Sequence, residues 1–176
     1  EFRRVLFRSA QLLGKEEDVA TFLDGVWTAS ETSHTKDAMD VIRSRFQAMS
    51  INAVFSKPAE RHSENNAIFR GKAVGAAVMS RYPLQPYPEP LEHEADCTCR
   101  FADAIVRATP AMPVYVCSIY GPPENNTTLT DAEKVFVAAS RPGVERGLAF
   151  KGPALITGDF NKEMHEVPFW PLLRRK

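Results

Sequence analysis

Ala154-Leu155-Ile156-Thr157-Gly158-Asp159-Phe160-Asn161 reads as a short apolar strand that ends in a carboxylate and a carboxamide. Side chains alternate faces along a strand, so Asp159 and Asn161 are expected on one face and Phe160 on the other, in the core. Leu155 and Phe160 are expected to be buried. Gly158 allows the backbone to turn or to approach a neighbour closely at that point. Two readings stay open. An apolar strand that releases two polar side chains at its C-terminal end can place chemistry on a rigid support. The same residues can also form an Asx-turn, in which the Asp and Asn side chains satisfy loop N–H groups.

Working outward, strands and helices alternate. Val26-Trp27-Thr28-Ala29 reads as a short strand leading to Ser30-Glu31-Thr32-Ser33-His34, after a helical stretch stopped by Gly25. Thr35 can cap a helix whose apolar face is Ala38, Val41, Ile42, Phe46 and Met49. Ile51 to Phe55, Ala73 to Met79, Phe101 to Ala108 and Pro113 to Tyr120 read as strands, the last closed by Gly121-Pro122-Pro123. The proline-rich segment Tyr82 to Pro90 reads as loop or edge. Leu129 to Ala139 reads as a helix, and a further helical segment is expected from Val167 to Leu173. Strands that follow one another directly should pair antiparallel: Ile51–Phe55 with Ala73–Met79, and Phe101–Ala108 with Pro113–Tyr120. The class is α/β.

With 176 residues, 44% hydrophobic and 25% charged, the composition is that of an ordinary globular domain able to bury a core. The formal net charge is zero, so the chain as a whole has no basic footprint for nucleic acid, although a local basic face remains open. No apolar run is long enough to span a bilayer, so no membrane span is expected. The three cysteines, Cys97, Cys99 and Cys117, do not make a disulfide framework and point to a reducing, intracellular compartment. His93 with Cys97 and Cys99 lacks the usual zinc spacing and a fourth ligand. The opening, Glu1 to Ser9, is neither a domain start nor a secretory signal and reads as a non-native leader, residues 1–9.

Glu31, Tyr120 and the pair Asp159 and Asn161 each follow an apolar run. Oxygen donors of this kind suit Mg²⁺, with Mn²⁺ as the alternative, rather than zinc. An Asp can orient an attacking water, and a tyrosine hydroxyl can donate to a phosphate. Taken singly, Glu31 also reads as part of a helix-capping region and Tyr120 as an aromatic plug before a turn.

Read in order, four segments resemble the endonuclease/exonuclease/phosphatase superfamily: Trp27 to Thr32, Val74 to Pro83, Val114 to Pro123 and Ala154 to Asn161. The Gly-Asp-Phe-Asn segment is the most specific of them. The resemblance covers about Asp18 to Leu173 and is nearest to the abasic-site and retroelement endonuclease branch. It implies a partial four-layer α/β sandwich, two mixed β-sheets flanked by helices. It implies Glu31 and Asp159 as metal ligands for Mg²⁺, Tyr120 as a phosphate contact, and Asp159 and Asn161 positioning the attacking water. The implied activity is hydrolysis of a phosphodiester, with nucleic acid as the implied substrate. A phosphatase or lipid phosphodiesterase of the same superfamily and a non-catalytic interaction module are the alternatives.

The sequence departs from the family pattern. Ser30 stands where Gln usually precedes the metal-binding Glu. No first-strand Asn precedes Glu31, and none of His34, His62, His93 or His165 lies in the family's Ser-Asp-His context. Residues 10–176 are therefore expected to be an incomplete domain of this type with little turnover alone.

Overall fold

The computed structural model describes residues 16, 17, 20, 25–30, 32, 36–57, 75–88, 100–109, 111–121, 129–161, 163, 166, 167 and 171. Among them the chain runs β1 (Val26–Ser30), α1 (Lys36–Ala48), β2 (Asn52–Phe55), β3 (Ala76–Ser80), β4 (Leu84–Gln85), β5 (Phe101–Thr109), β6 (Met112–Tyr120), α2 (Leu129–Ala149) and β7 (Ala154–Asp159).

The strands form two sheets, in the orders β1-β3-β2 and β4-β5-β6-β7. The first is antiparallel throughout. The second is mixed, because β7 joins β6 parallel after the α2 crossover. Both expected antiparallel pairs form. In β5 and β6 the alternation of side chains sets the register, with Phe101 opposite Ile119 and Ile105 opposite Tyr115.

Four layers follow from the two faces of each sheet. Val26, Ala76 and Val78 of the first sheet pack against Ala102, Ala104, Val106 and Val116 of the second. On the outer face of the first sheet, Trp27, Ala29, Ala77 and Met79 pack against Ile42 and Phe46 of α1. On the outer face of the second, Phe101, Tyr115, Cys117 and Ile119 form one cluster. Val144 of α2 packs there beside Ile156 and Phe160. This is the expected α/β sandwich.

The apolar face of α1 is narrower than the sequence suggests. Ile42 and Phe46 are buried, but Val41 is 44% exposed. Each helical residue turns about 100°, which carries Val41 to the flank of the stripe centred on Ile42 and Phe46. The helix ends in a Schellman arrangement. The Ile51 N–H donates to the Phe46 carbonyl at 2.8 Å and the Ser50 N–H to the Gln47 carbonyl at 3.1 Å. Ser50 takes the left-handed conformation, φ 56°, that this motif requires.

The second helix extends beyond the expected end at Ala139, through Pro142 and Gly143, to Ala149. Pro142 removes one backbone donor, and packing compensates. A Cβ on Gly143 would lie 2.6 Å from Cys117 Sγ and 2.8 Å from Phe101 Cε2, so the missing side chain lets α2 lie directly on β5 and β6.

Strand β7 also extends past Thr157, to Asp159, and it is half-buried rather than buried. It is the outermost strand of its sheet among the described residues, which leaves one side less covered. Leu155 and Phe160 are accordingly both of intermediate exposure, against the expectation of full burial. No helix among the described residues is long and apolar enough to cross a membrane.

Candidate active site

The register of the parallel pair β6–β7 places Tyr120 opposite Asp159, Ser118 opposite Thr157 and Val116 opposite Leu155. Residues opposite in a parallel pair share a face. This face is turned toward the first sheet, since Val116 and Leu155 pack in the inter-sheet core. Two polar contacts cross that interface. Ser118 Oγ donates to the Ala29 carbonyl at 3.0 Å, and Thr157 Oγ1 lies 2.8 Å from Thr28 Oγ1. Two residues of strand span about 7 Å. The ends of β1, β6 and β7 therefore all lie within about that distance of these two crossing points.

Two glycines hold the ends of β6 and β7 together. The Gly121 N–H donates to the Asp159 carbonyl at 2.7 Å. A Cβ on Gly121 would lie 2.2 Å from the Phe160 carbonyl oxygen. Gly158 has φ +147°, and a Cβ there would lie 1.9 Å from the Ile119 carbonyl oxygen. Only glycine fits either position without moving backbone.

Asp159 and Asn161 do come together, but strand alternation is not the cause. The strand stops at Asp159, and Asn161 is left-handed with φ 49°. The Asn161 N–H donates to Asp159 Oδ1 at 3.2 Å, an Asx-turn, and Asn161 Nδ2 donates to the Gly121 carbonyl at 2.8 Å. Asn161 Oδ1 and the second carboxylate oxygen of Asp159 are the acceptors these bonds leave. The Asx-turn and the candidate site are thus one structure. Phe160 points to the opposite side, toward Val144 and Val167.

Tyr120 is 3% exposed, more enclosed than its neighbours Asp159 and Asn161. Its ring lies under the Arg100 guanidinium at 4.9 Å. Arg100 was not legible as part of this arrangement. A lone arginine ahead of an apolar strand looks the same in sequence whether solvated or buried. Glu31 and His34, and the residues His62, His93, Cys97, Cys99 and His165, lie outside the described residues, as does most of the segment Val167 to Leu173. Among the described residues no group of three or more His, Cys, Asp or Glu side chains could hold a metal ion.

A second polar cluster, also missed, occupies the other face of β5 and β6. Arg146 Nη1 donates to Asp103 Oδ2 at 2.8 Å, and the Tyr115 hydroxyl donates to the same oxygen at 3.0 Å. Arg146 stacks on Tyr87 at 4.5 Å. Burial raises the Asp103 carboxyl above its ordinary value, opposed by Arg146 and Tyr115. Burial likewise raises the Tyr115 hydroxyl and the Cys117 thiol beside it. This cluster fastens α2 to the sheet and lies on the face opposite Tyr120 and Asp159. The only sequence signal was a charged residue on the apolar side of an alternating strand.

Two packed sheets with a helix outside each make an α/β sandwich, and the chain shares this fold with two solved structures. It is similar to the structure of an AP endonuclease from Archaeoglobus fulgidus, at 14% identity and a TM-score of 0.59, covering 86% of this chain and 54% of that one. It is also similar to TDP2 from C. elegans, at 10% identity and a TM-score of 0.54, covering 93% of this chain and 48% of that one. The chain thus spans about half the length of either structure. No protein-family model and no curated protein matches it.

Proposed function

We propose that this chain carries part of a divalent-cation-dependent phosphoesterase site that hydrolyses a phosphodiester, with nucleic acid as substrate. The observation that carries this reading is the in-register pairing of Tyr120 with Asp159, closed by the Asn161 carboxamide on Gly121. The similarity to an AP endonuclease supports nucleic acid as the substrate class. The segments Trp27 to Thr32 and Tyr120 to Pro123 favour a repair-type or retroelement-type endonuclease over a phosphatase or lipid phosphodiesterase.

The donors fit a hard cation. Asp159 offers a carboxylate oxygen and Asn161 a carboxamide oxygen, both on half-buried side chains and neither a soft ligand. Mg²⁺ would be held by Asp159 with Glu31; Mn²⁺ satisfies the same donors. Such a cation, when bound, polarises a phosphoryl oxygen and stabilises the leaving oxygen. The protein groups do the rest. Asp159 accepts a hydrogen bond from the attacking water and aligns it, while Asn161 Oδ1 accepts from that same water. Tyr120, buried and paired with Asp159, is the phosphate contact that the family resemblance implies. The new P–O bond forms to the water oxygen as the P–O bond to the leaving alkoxide breaks; the water gives a proton to solvent and the alkoxide takes one from it.

The test is nicking of supercoiled and abasic-site DNA, with phosphate release from small esters in parallel, with and without Mg²⁺. It is run on this chain and on the longest reading frame containing it. Mg²⁺-dependent nicking by the longer protein, abolished by Asp159→Asn with the fold intact, and little turnover by residues 1–176 alone, are the expected results. Activity indifferent to Asp159→Asn removes Asp159 from the mechanism. Phosphate release without nicking selects the phosphatase reading. If the Asx-turn is the only role of Asp159 and Asn161, Mn²⁺ leaves their NMR signals unbroadened, and the chain is an interaction module.

A further inference from the structure

Arg100 is the largest fully buried side chain described, and it carries a charge. Burying a guanidinium costs free energy that contacts to its donors and its flat face offset. Here the face covers the Tyr120 ring at 4.9 Å. Nη1 donates at 3.4 Å to both the Tyr120 and the Gly121 carbonyls. The Gly121 carbonyl has a second lone pair, which takes Asn161 Nδ2 at 2.8 Å. One peptide oxygen therefore joins a buried cation to the carboxamide of the candidate site. The same glycine is tied to β7 through its N–H, at 2.7 Å from the Asp159 carbonyl.

We propose that Arg100 is a positioning residue for this site. By clamping the Tyr120 and Gly121 carbonyls it fixes the oxygen on which Asn161 is anchored, and so presents Oδ1 rather than Nδ2 to a ligand. The difference matters for the ligand. Oδ1 is an acceptor suited to a cation or to a water proton, whereas Nδ2 is a donor. Lysine cannot replace the clamp, because an ammonium group has no planar face to lay on Tyr120 and presents its charge at a single point. This proposal rests on the reading of Tyr120, Asp159 and Asn161 as the phosphodiester site.

NMR of the intact chain tests it without relying on turnover. In the wild type, the Arg100 Nη protons and the Asn161 carboxamide protons are expected to exchange slowly with water, with a through-hydrogen-bond coupling from Asn161 Nδ2 to the Gly121 carbonyl carbon. In Arg100→Lys, Asn161 carboxamide exchange should rise by roughly tenfold or more, as loss of a charge-assisted anchor implies. Backbone amide exchange in α1 and β3, away from the strand end, should stay unchanged. Mn²⁺ broadening at Asn161 should weaken while that at Asp159 persists. A folded Arg100→Lys protein with wild-type carboxamide exchange overturns the proposal. If that variant does not fold, the wild type decides: Arg100 Nη protons exchanging at the rate of an exposed arginine overturn the clamp, and protected ones support it. The two claims fail separately. Absence of Mn²⁺ broadening at Asp159 in the wild type sinks the site, whereas carboxamide exchange, or Arg100 Nη exchange where the variant does not fold, decides the clamp.

Discussion

Tyr120 and Asp159 stand opposite each other in the parallel ladder of β6 and β7, although 38 positions separate them in the chain. The α2 crossover makes this possible by returning the chain to the same sheet. The closeness of the pair depends on Gly121 and Gly158, one beside each residue.

Gly158→Ala and Gly121→Ala should both be severely destabilising. A Cβ at Gly158 meets the Ile119 carbonyl and also forces alanine to φ +147°; one at Gly121 meets the Phe160 carbonyl. Neither obstacle is a flexible side chain, so the ladder itself has to open. We expect each to cost about 3 kcal/mol or more in urea denaturation, above the common range for single substitutions. A loss below about 1 kcal/mol at either site would mean that the two strand ends are not held this closely.

The Asp103–Arg146 pair gives a prediction with a definite sign. Both side chains are nearly enclosed, at 10% and 12% exposure. Arg146→Met leaves a buried carboxylate uncompensated and should cost about 3–5 kcal/mol, while Arg146→Met with Asp103→Leu should recover most of it. Burial raises the folded Asp103 carboxyl above 3.8, the value it has when exposed. The folded form therefore holds its proton more tightly than the unfolded form. The resulting stability is present below 3.8 and is lost as pH rises through the higher folded value. Asp103→Asn should remove that downward step from the pH–stability curve. If stability attributable to Asp103 instead rises over that window, the carboxyl is depressed and the ion pair outweighs burial.

Phe160→Ala should cost about 1–2 kcal/mol, not the ~3–5 kcal/mol of a fully buried ring. The ring is only half-covered, against Val144, Val167 and the cluster around Tyr115. Thermal unfolding measures it directly. A loss of about 4 kcal/mol would show that β7 is covered on both sides in the folded protein.

The sequence was most legible where apolar content and strand length agree. Phe101 to Ala108 and Pro113 to Tyr120 are near-continuous apolar runs bounded by turn residues, and both strands and their pairing form as expected. It was least legible where a local signal competes with packing. Pro142 and Gly143 are a strong stop signal, yet the helix continues because the glycine seats it on Cys117 and Phe101. At the site, the strand-end positions of Tyr120 and Asp159 were readable from their flanking apolar runs. The Asx-turn geometry was left open, since an Asp and an Asn two residues apart serve either purpose. Arg100 and Asp103 were invisible for a shared reason. Burial of a charge depends on partners distant in sequence, here the Tyr120 and Gly121 carbonyls and Arg146.

Asn161 separates what the turn needs from what the site needs. Its backbone is left-handed at φ 49°, which glycine adopts freely and alanine does not. Its side chain anchors to the Gly121 carbonyl. Asn161→Gly keeps the backbone and loses the carboxamide; Asn161→Ala loses both. We expect Asn161→Ala to be about 1–2 kcal/mol less stable than Asn161→Gly, the usual strain of a left-handed non-glycine residue without a polar side chain to support it. On the proposed function, both variants should lose Mg²⁺-dependent cleavage and bind Mn²⁺ more weakly at this strand end, including Asn161→Gly, whose fold is retained. Urea denaturation of the two proteins, with a Mn²⁺ titration followed by NMR, provides both readings. Equal stability of the two variants would show that the turn does not impose the left-handed backbone. An Asn161→Gly protein that still binds Mn²⁺ and cleaves like the wild type would leave the carboxamide with a purely architectural role.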